Sequence, residues 1–124
     1  MNTTRSCRFC ITNDAVLATT LAYARLDKFP VTPGHLLVIP RRHESNFFAT
    51  RPDELEAIWA VVEEAKTLLE NKFHPDGYNL GVNVGEAAGQ TIAHAHLHLI
   101  LRYRGDVEQP RGGVRGVIPA QQQY

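Results

Sequence analysis

Short apolar runs and one long helical repeat divide the chain into six predicted elements. Residues 15–18, 21–26, 35–39 and 78–83 are short, partly alternating apolar runs bounded by turn residues, a pattern typical of β-strands. Residues 52–71 carry apolar side chains at three- and four-residue steps, which predicts an amphipathic helix. A fifth strand is predicted over residues 94–100. This order predicts an α+β fold, with an antiparallel sheet of about five strands and one long helix packed on it.

The helical repeat also predicts which side chains enter the core. Thr50 and Asp53 approximate a capping box at the start of the helix, and Pro52 falls in the first turn, where proline is tolerated. Trp59 lies on the apolar stripe, so we assign it to the core and give it no role in ligand binding. The stripe consists of Leu55, Ile58, Trp59, Val62, Ala65, Leu68 and Leu69.

The fifth predicted strand has a histidine at every second position, His94, His96 and His98. Alternate residues of a strand point to the same face, so the three imidazoles are predicted to line one face while the residues between them enter the core. This spacing suits a metal site, an imidazole nucleophile near neutral pH, or histidines with purely structural hydrogen bonds. The spacing alone leaves these three interpretations open.

Composition narrows the function classes. The 124 residues, 44% of them hydrophobic, fit one domain spanning residues 1–124. Thirteen basic and thirteen acidic residues balance, so no overall charge attracts nucleic acid or an anionic membrane. No apolar window reaches the ~18 residues of a membrane span, and the polar first six residues lack the apolar centre of a signal peptide. We therefore expect a cytoplasmic protein without nucleic-acid or membrane partners. There Cys7 and Cys10 are expected to be thiols or metal ligands and not a structural disulfide.

The residues before the histidines favour phosphate binding. Asn83, Gln90 and Thr91 offer amide and hydroxyl donors, and Gly89 lets backbone N–H groups approach an anion closely. A neutral imidazole can attack phosphorus, and water can hydrolyse the resulting adduct. Together these features favour covalent phosphoryl or nucleotidyl transfer. His35, at the start of the third strand, is assigned a structural role.

Residues 89–100, Gly-Gln-Thr-Ile-Ala-His-Ala-His-Leu-His-Leu-Ile, resemble the signature of the histidine triad (HIT) family of nucleotide hydrolases and transferases. Residues 33–40, 51–54 and 86–91 resemble especially the fragile-histidine-triad branch, which cleaves dinucleoside polyphosphates, and the similarity covers residues 21–106. The resemblance implies a HIT-like fold and a hydrolase that releases a nucleoside monophosphate from substrates such as diadenosine tri- or tetraphosphate. Asn83 departs from the longer amide of that branch and is similar to the nucleoside-phosphoramidase branch, so nucleoside phosphoramidates are also implied. A nucleotide-binding regulatory module and a nucleotidyltransferase or phosphorylase remain as alternatives.

The resemblance also implies catalytic and binding roles. His96 would attack the α-phosphorus to form a nucleotidyl-histidine intermediate, and the His94 carbonyl would orient its ring. His98 would contact the phosphate and assist departure of the leaving oxygen, and no catalytic metal is implied. Asp27 would accept hydrogen bonds from the ribose hydroxyls. The other implied nucleotide-binding residues are Asn83, Gly89, Gln90, Thr91 and His98.

By the same resemblance, Cys7 and Cys10 would complete a structural zinc site with His43 and His94, as in some bacterial members of the family and the related uridylyltransferases. Such a zinc would tether an N-terminal segment, residues 1–13, to the active strand. Residues 103–124 form a tail rich in Arg, Gly, Pro and Gln, expected to be a flexible flap or an arm held by the protein. Family members commonly join the sheets of two protomers, so a homodimer is expected.

Overall fold

The computed structural model describes residues 7–124, so the polar first six residues considered above lie outside this part of the chain. It contains a five-stranded sheet in the order β1-β2-β3-β5-β4, in which every neighbouring pair is antiparallel. The elements are β1 (Leu17–Ala18), β2 (Ala22–Leu26), β3 (Leu36–Pro40), α1 (Pro52–Phe73), β4 (Gly77–Val82) and β5 (Leu97–Arg102). The α+β prediction is confirmed.

One face of the sheet packs on α1 and forms the main core. Alternate residues of each strand point to this face, because successive side chains of a strand point to opposite sides. The buried cluster consists of Ala22, Ala24, Leu36, Val38, Leu97, Leu99 and Leu101 from the sheet with Ile58, Val61, Val62, Ala65 and Leu69 from the helix.

The helix buries a narrower face than predicted. This face is rotated around the helix axis, relative to the predicted stripe, so that it includes Glu54 and Val61. Leu55, Trp59 and Leu68 are exposed, Trp59 to 53%, so their assignment to the core was wrong. Glu54 and Val61 are buried instead. The predicted apolar stripe is wider than the strip of sheet available to cover it, so its flanks remain in solvent.

The start of α1 is held by Glu54 rather than by the predicted capping box of Thr50 and Asp53. The Arg51 N–H donates to Glu54 Oε1 (2.8 Å), and Arg42 donates to both carboxylate oxygens (2.9 and 3.0 Å). The Thr50 hydroxyl instead donates to the Phe47 carbonyl (2.8 Å). The cap therefore lies one residue later in the chain than predicted, with Glu54 at the third helical position.

The second face of the sheet is partly covered by two segments, one near the start of the described chain and one in the C-terminal tail. Near β2 and β3, Cys7 and Phe9 pack on Tyr23, Leu37 and Ile39. Near β4, the tail forms two 3-10 turns, Gly113–Val117 and Pro119–Gln121, the first of which contacts the strand. The strip between these two covers stays open. Within the described part of the chain, no helix has the length and apolarity needed to cross a bilayer.

Candidate active site and metal centre

Only one of the three histidines of the triad lies within a strand. β5 begins at Leu97, so His98 lies within the strand, whereas His94 lies in a bend before it. The Ala95 N–H donates to the Glu44 carbonyl (2.7 Å), which ties this bend to the loop after β3. The His96 and His98 rings lie 5.1 Å apart, while the His94 ring is fully buried beside the cysteines. The strand therefore begins at Leu97 and not at His94 as predicted, while the Phe9 ring contacts both His94 and His96.

The hydrogen bonds of His96 fix which of its nitrogens is free to react. His96 Nδ1 lies 2.8 Å from the His94 carbonyl oxygen, which can only accept, so Nδ1 carries the proton. The Nε2 lone pair is left for attack on an electrophile. The Phe9 ring packs edge-on against the imidazole, with centroids 4.9 Å apart, and helps to hold its orientation.

His98 has the complementary protonation because of a chain of hydrogen bonds through His35. The Val31 N–H donates to His35 Nδ1 (3.0 Å), so the His35 proton resides on Nε2. His35 Nε2 lies 2.9 Å from His98 Nδ1 and donates to it. His98 therefore carries its own proton on Nε2. His35 is buried as a structural residue would be, but its contact with His98 also gives it a place in the site.

Burial keeps these imidazoles neutral. Desolvation lowers the pKa of His96 and of His35 below the ordinary value near 6.5. Desolvation, together with the neighbouring His96 and His35 rings, lowers the pKa of His98 to about 4. At neutral pH the site thus presents a free lone pair on His96 and an N–H donor on His98.

The histidines open into a groove of about 510 Å³ on the second face of the sheet. Four of the predicted nucleotide-binding residues line it beside His96 and His98: Asp27, Asn83, Gly89 and Thr91. Asp27 Oδ1 accepts the Phe29 N–H (2.9 Å), and its other oxygen lies 3.5 Å from His35 Nε2. Gly89 has a φ of +93°, a conformation that favours glycine and that turns the loop toward the groove.

Gln90 occupies a different position from the other predicted binding residues. Its Oε1 accepts the Gly85 N–H (2.9 Å), and its Nε2 donates to the carbonyls of Ser45 (2.8 Å) and Ile92 (3.0 Å). It is not among the residues lining the groove. In this conformation Gln90 shapes the loop that carries Gly89 and Thr91, and its contact with phosphate stays a prediction.

Cys7, Cys10, His43 and His94 converge on one point behind His96, and their ligand atoms all lie within 4.8 Å of one another. The sulfur-to-nitrogen distances are 3.3 Å for Cys10 to His43, 3.4 Å for Cys7 to His94 and 3.5 Å for Cys10 to His94. Zn–S bonds of ~2.3 Å and Zn–N bonds of ~2.1 Å at tetrahedral angles place such ligands about 3.6 Å apart. The four side chains could hold a metal ion.

The hydrogen bonding of His94 also fits a metal ligand. Its Nε2 lies 2.7 Å from the Pro40 carbonyl oxygen and must donate, so the lone pair is on Nδ1, the atom that faces both cysteines. Burial and the neighbouring Cys7 thiol raise the pKa of Cys10 to about 11, so without a cation this thiol keeps its proton.

Asp27, His35 and His98 form a second cluster with ligand atoms within 4.8 Å. A cation on His35 Nε2 would require the ring proton on Nδ1, where it would face the Val31 N–H. This cluster is therefore suited to a chain of hydrogen bonds and not to a metal.

Several residues that the sequence analysis did not assign also line the groove, among them Arg8, Phe9 and Arg25. Arg8 and Phe9 lie between the two cysteines, so the segment that brings the thiols together also forms one wall of the groove. Arg25 is buried and paired with Asp14 (2.6 Å). Their position between the two cysteines could have indicated that Arg8 and Phe9 lie near the groove. This inference would have required knowing that the thiols lie beside His96.

The chain belongs to the HIT family, since the HIT domain matches residues 8–105. It is 39% identical over 108 residues to an uncharacterized HIT-like protein of Mycoplasma genitalium, covering 82% of this chain and 77% of that protein. It is 35% identical over 92 residues to the bifunctional bis(5'-adenosyl)-triphosphatase/adenylylsulfatase FHIT of Arabidopsis thaliana, covering 74% and 51%. It is 37% identical over 87 residues to an AP-4-A phosphorylase of Mycobacterium tuberculosis, covering 69% and 45%. The chain thus spans about half the length of the last two relatives.

Solved structures share the fold. A HIT family protein from Bacillus anthracis matches with a TM-score of 0.75 at 40% identity, covering 81% of this chain and 75% of that one. A Zn-bound histidine triad family protein from Mycobacterium smegmatis matches with a TM-score of 0.75 at 32% identity, covering 84% and 80%. Both agree with the sheet and single long helix described above.

Proposed function

We propose that the protein is a nucleotide hydrolase that cleaves dinucleoside polyphosphates or nucleoside phosphoramidates at the α-phosphate and releases a nucleoside monophosphate. The observation that carries this proposal is the complementary protonation of His96 and His98, two neutral imidazoles whose rings are 5.1 Å apart in one groove. One can attack phosphorus while the other donates a hydrogen bond to the leaving group. The relative named as a bis(5'-adenosyl)-triphosphatase supports the same class.

The reaction proceeds in two displacements. His96 Nε2 attacks the α-phosphorus as the bond to the leaving group breaks, and the electron pair of that bond stays on the leaving atom, which accepts a hydrogen bond from the His98 Nε2–H. Water then attacks the nucleotidyl-histidine, the P–N bond breaks with its electron pair returning to His96 Nε2, and the proton that water loses passes to the solvent. The nucleoside monophosphate leaves and His96 regains its initial state.

The groove supplies binding groups for each part of the nucleotide. Asn83, Gly89 and Thr91 lie on the wall near the reacting histidines, where amide, backbone and hydroxyl donors suit phosphate oxygens. Asp27 offers a carboxylate to the ribose hydroxyls. Phe29 and Val31, both exposed, provide apolar surface on which a base can lie.

Phosphorolysis is a second candidate, favoured by the similarity to a protein named AP-4-A phosphorylase. In that reaction inorganic phosphate, and not water, attacks the nucleotidyl-histidine and forms a nucleoside diphosphate. The histidine chemistry before this step is identical, so the products distinguish the two reactions.

Product analysis tests the proposal. The parent protein and the variant His96→Ala are incubated with diadenosine tri- and tetraphosphate and with adenosine 5'-phosphoramidate, with and without inorganic phosphate and with a mild chelator present. We expect AMP from the parent alone, whereas ADP carrying labelled phosphate would indicate phosphorolysis. Tight AMP binding without turnover of any substrate would contradict the enzyme proposal and favour a regulatory module.

The proposal includes a structural zinc ion held by Cys7, Cys10, His43 and His94. Two thiolates and two imidazoles are an ordinary tetrahedral zinc set, and a closed set of four leaves no position for substrate. The Zn-bound relative from M. smegmatis supports this choice of metal. The zinc would stabilise the segment that carries Phe9 and would leave catalysis to His96 and His98.

The proposal also includes a homodimer formed through the edge of the sheet. β4 pairs with β5 alone among the described strands, so its second edge has backbone groups available to a further strand. Two copies of β4 related by a two-fold axis would pair antiparallel and join the sheets. Light scattering should then give twice the chain mass of 13.9 kDa across micromolar concentrations, and a monomer throughout this range would contradict the dimer.

A further inference from the structure

A second cavity, of about 390 Å³, adjoins the groove on the far side of His98. His98, His35, Asn83 and Val31 line both spaces, so they form a shared wall. Neither the sequence analysis nor the proposed function assigns this second cavity. Its position beside His98, whose N–H would face the leaving group, makes it continuous with the path that this group would follow.

The floor of this cavity is the second face of β4 and β5. Gly81 lies directly opposite His98 across the two strands, and Asn79 lies opposite Ile100, so all four share this face. A Cβ built on Gly81 would meet no atom within 4 Å, so the glycine leaves open space above the sheet. The floor is therefore recessed beside the reacting centre.

The roof of the cavity is the C-terminal tail, which is anchored rather than loose. Arg102 donates to Asn79 (2.6 Å) and to both carboxylate oxygens of Asp106 (2.8 Å each), which fixes the start of the tail on β4. The turn Gly113–Val117 then places Val114 and Val117 on the cavity. Both valines are largely solvent-exposed, Val117 to 77%, so they offer apolar surface that no part of the described chain covers.

We propose that this cavity binds the leaving nucleoside of a dinucleoside polyphosphate, with its base against Val114 and Val117. This inference rests on the proposed function, because it names which of the two substrate classes the site is built for. A cavity of this volume with mostly apolar walls suits a nucleobase, and it lies beside His98, whose N–H faces the leaving group. A phosphoramidate releases only a small amine and would leave the cavity unused.

Two variants test this subsite in opposite ways. Val117→Ser removes apolar surface from the roof, and Gly81→Val fills the recess in the floor with a residue that strands accept. For each, kcat/KM is measured with diadenosine tetraphosphate and with adenosine 5'-phosphoramidate. We expect about a tenfold loss for the dinucleotide and less than a twofold change for the phosphoramidate. Ile118→Ser is the matched control, since Ile118 is exposed in the same tail but does not line the cavity, and both activities should stay unchanged.

The possible results separate this subsite from the proposed function. Equal losses on both substrates, or no loss on either, would overturn the subsite while AMP release by the parent upholds the hydrolase. A parent that cleaves the phosphoramidate and not the dinucleotide would also overturn the subsite alone. A parent that cleaves neither substrate would overturn both proposals.

Discussion

Each histidine around the groove has one ring nitrogen held by a fixed partner, and this partner determines what the other nitrogen can do. For His96 and His94 the partners are backbone carbonyls, which do not titrate and move only with the chain. For His98 the partner is His35, which is itself held by the Val31 N–H. Reversing one tautomer leaves a buried group unpaired, at a cost of about 1–3 kcal/mol. The protonation pattern of the groove therefore follows from local geometry.

The contact between His35 and His98 leads to a prediction about leaving groups. His35→Phe keeps an aromatic ring but removes the donor to His98 Nδ1, so the His98 proton is no longer held on Nε2. We expect kcat to fall about 10- to 100-fold for dinucleoside polyphosphates, because the negative charge that develops on the leaving phosphate oxygen loses the hydrogen bond from His98. A nitrophenyl ester of AMP, whose leaving group spreads this charge over its ring, should lose less than threefold. Equal losses on both substrates at an unchanged melting temperature would contradict this role.

The lowered pKa values predict an unusual pH dependence. His96 must be neutral to attack phosphorus, and desolvation lowers its pKa below the ordinary value near 6.5. Protonation of the free enzyme therefore occurs only at lower pH, and the acid limb of kcat/KM should lie below pH 6.5. The measurement is kcat/KM for a dinucleotide in buffers of constant ionic strength. An acid limb centred at or above pH 6.5 would show that His96 titrates as an exposed histidine.

Much of the site could be predicted from the sequence, including the His94 carbonyl that orients the His96 ring, but the hydrogen-bond partner of His98 could not. The triad spacing and the resemblance pointed to His96 and His98, and the structure brings both to one groove. His35 was assigned only a structural role because its partner His98 lies 63 residues away in the chain. The bend at His94 is held by the hydrogen bond from the Ala95 N–H to the Glu44 carbonyl. Glu44 lies far away in the chain, so the alternating pattern of residues 94–100 gives no sign of this bond.

At the scale of elements, α1 illustrates why an apolar stripe does not define a core. The helix and the strand bounds were predicted within a few residues, since helical and strand periodicities differ clearly. The buried face was mispredicted because Leu55 and Trp59 are apolar but lie beyond the width of the sheet. Glu54 is charged yet buried, because Arg42 reaches it from the loop after β3. This tertiary ion pair cannot be read from helix periodicity.

The same ion pair gives a prediction about stability. Glu54→Ala removes the partner of Arg42 and the acceptor for the Arg51 N–H, and we expect the free energy of unfolding to fall by about 2–3 kcal/mol. Arg42 lowers the pKa of Glu54, so this contribution is present above the unfolded pKa near 4.3 and is lost as pH falls toward the folded value. Urea titrations at pH 7 measure the change. Glu56→Ala, at an exposed position two residues away, is the control and should change the unfolding free energy by less than about 0.5 kcal/mol.

At the scale of the whole molecule, the sheet separates packing from chemistry. One face packs on α1 and forms the core. The other face contacts the cysteine segment and the C-terminal tail and lines the groove between them. The cysteine segment, residues 7–10, and the C-terminal tail therefore form opposite walls of the open strip. Such a site depends on both walls being held in place. The tail is held by the ion pair of Arg102 with Asp106, and the cysteine segment would be held by the proposed metal.

Removing the metal should therefore loosen one wall of the groove. We expect about one zinc per chain by elemental analysis of purified protein, and Cys7→Ser should abolish this stoichiometry. Loss of a structural zinc site is expected to lower the unfolding free energy by about 3 kcal/mol or more, which for a chain of this size corresponds to roughly 10 °C in melting temperature. Arg8→Ala, between the two cysteines, should keep both the zinc and the melting temperature.

The metal should also affect catalysis without taking part in it. Phe9 follows Cys7 by two residues and packs on His96, so loosening this segment frees the nucleophile to leave its attacking orientation. Protein stripped by a strong chelator at a temperature where it remains folded should lose kcat, and stoichiometric zinc should restore it. Zinc beyond one equivalent should add no activity, because His96 and His98 need no cation. Full activity of a folded, zinc-free protein would show that the cysteine segment is held by its apolar contacts alone.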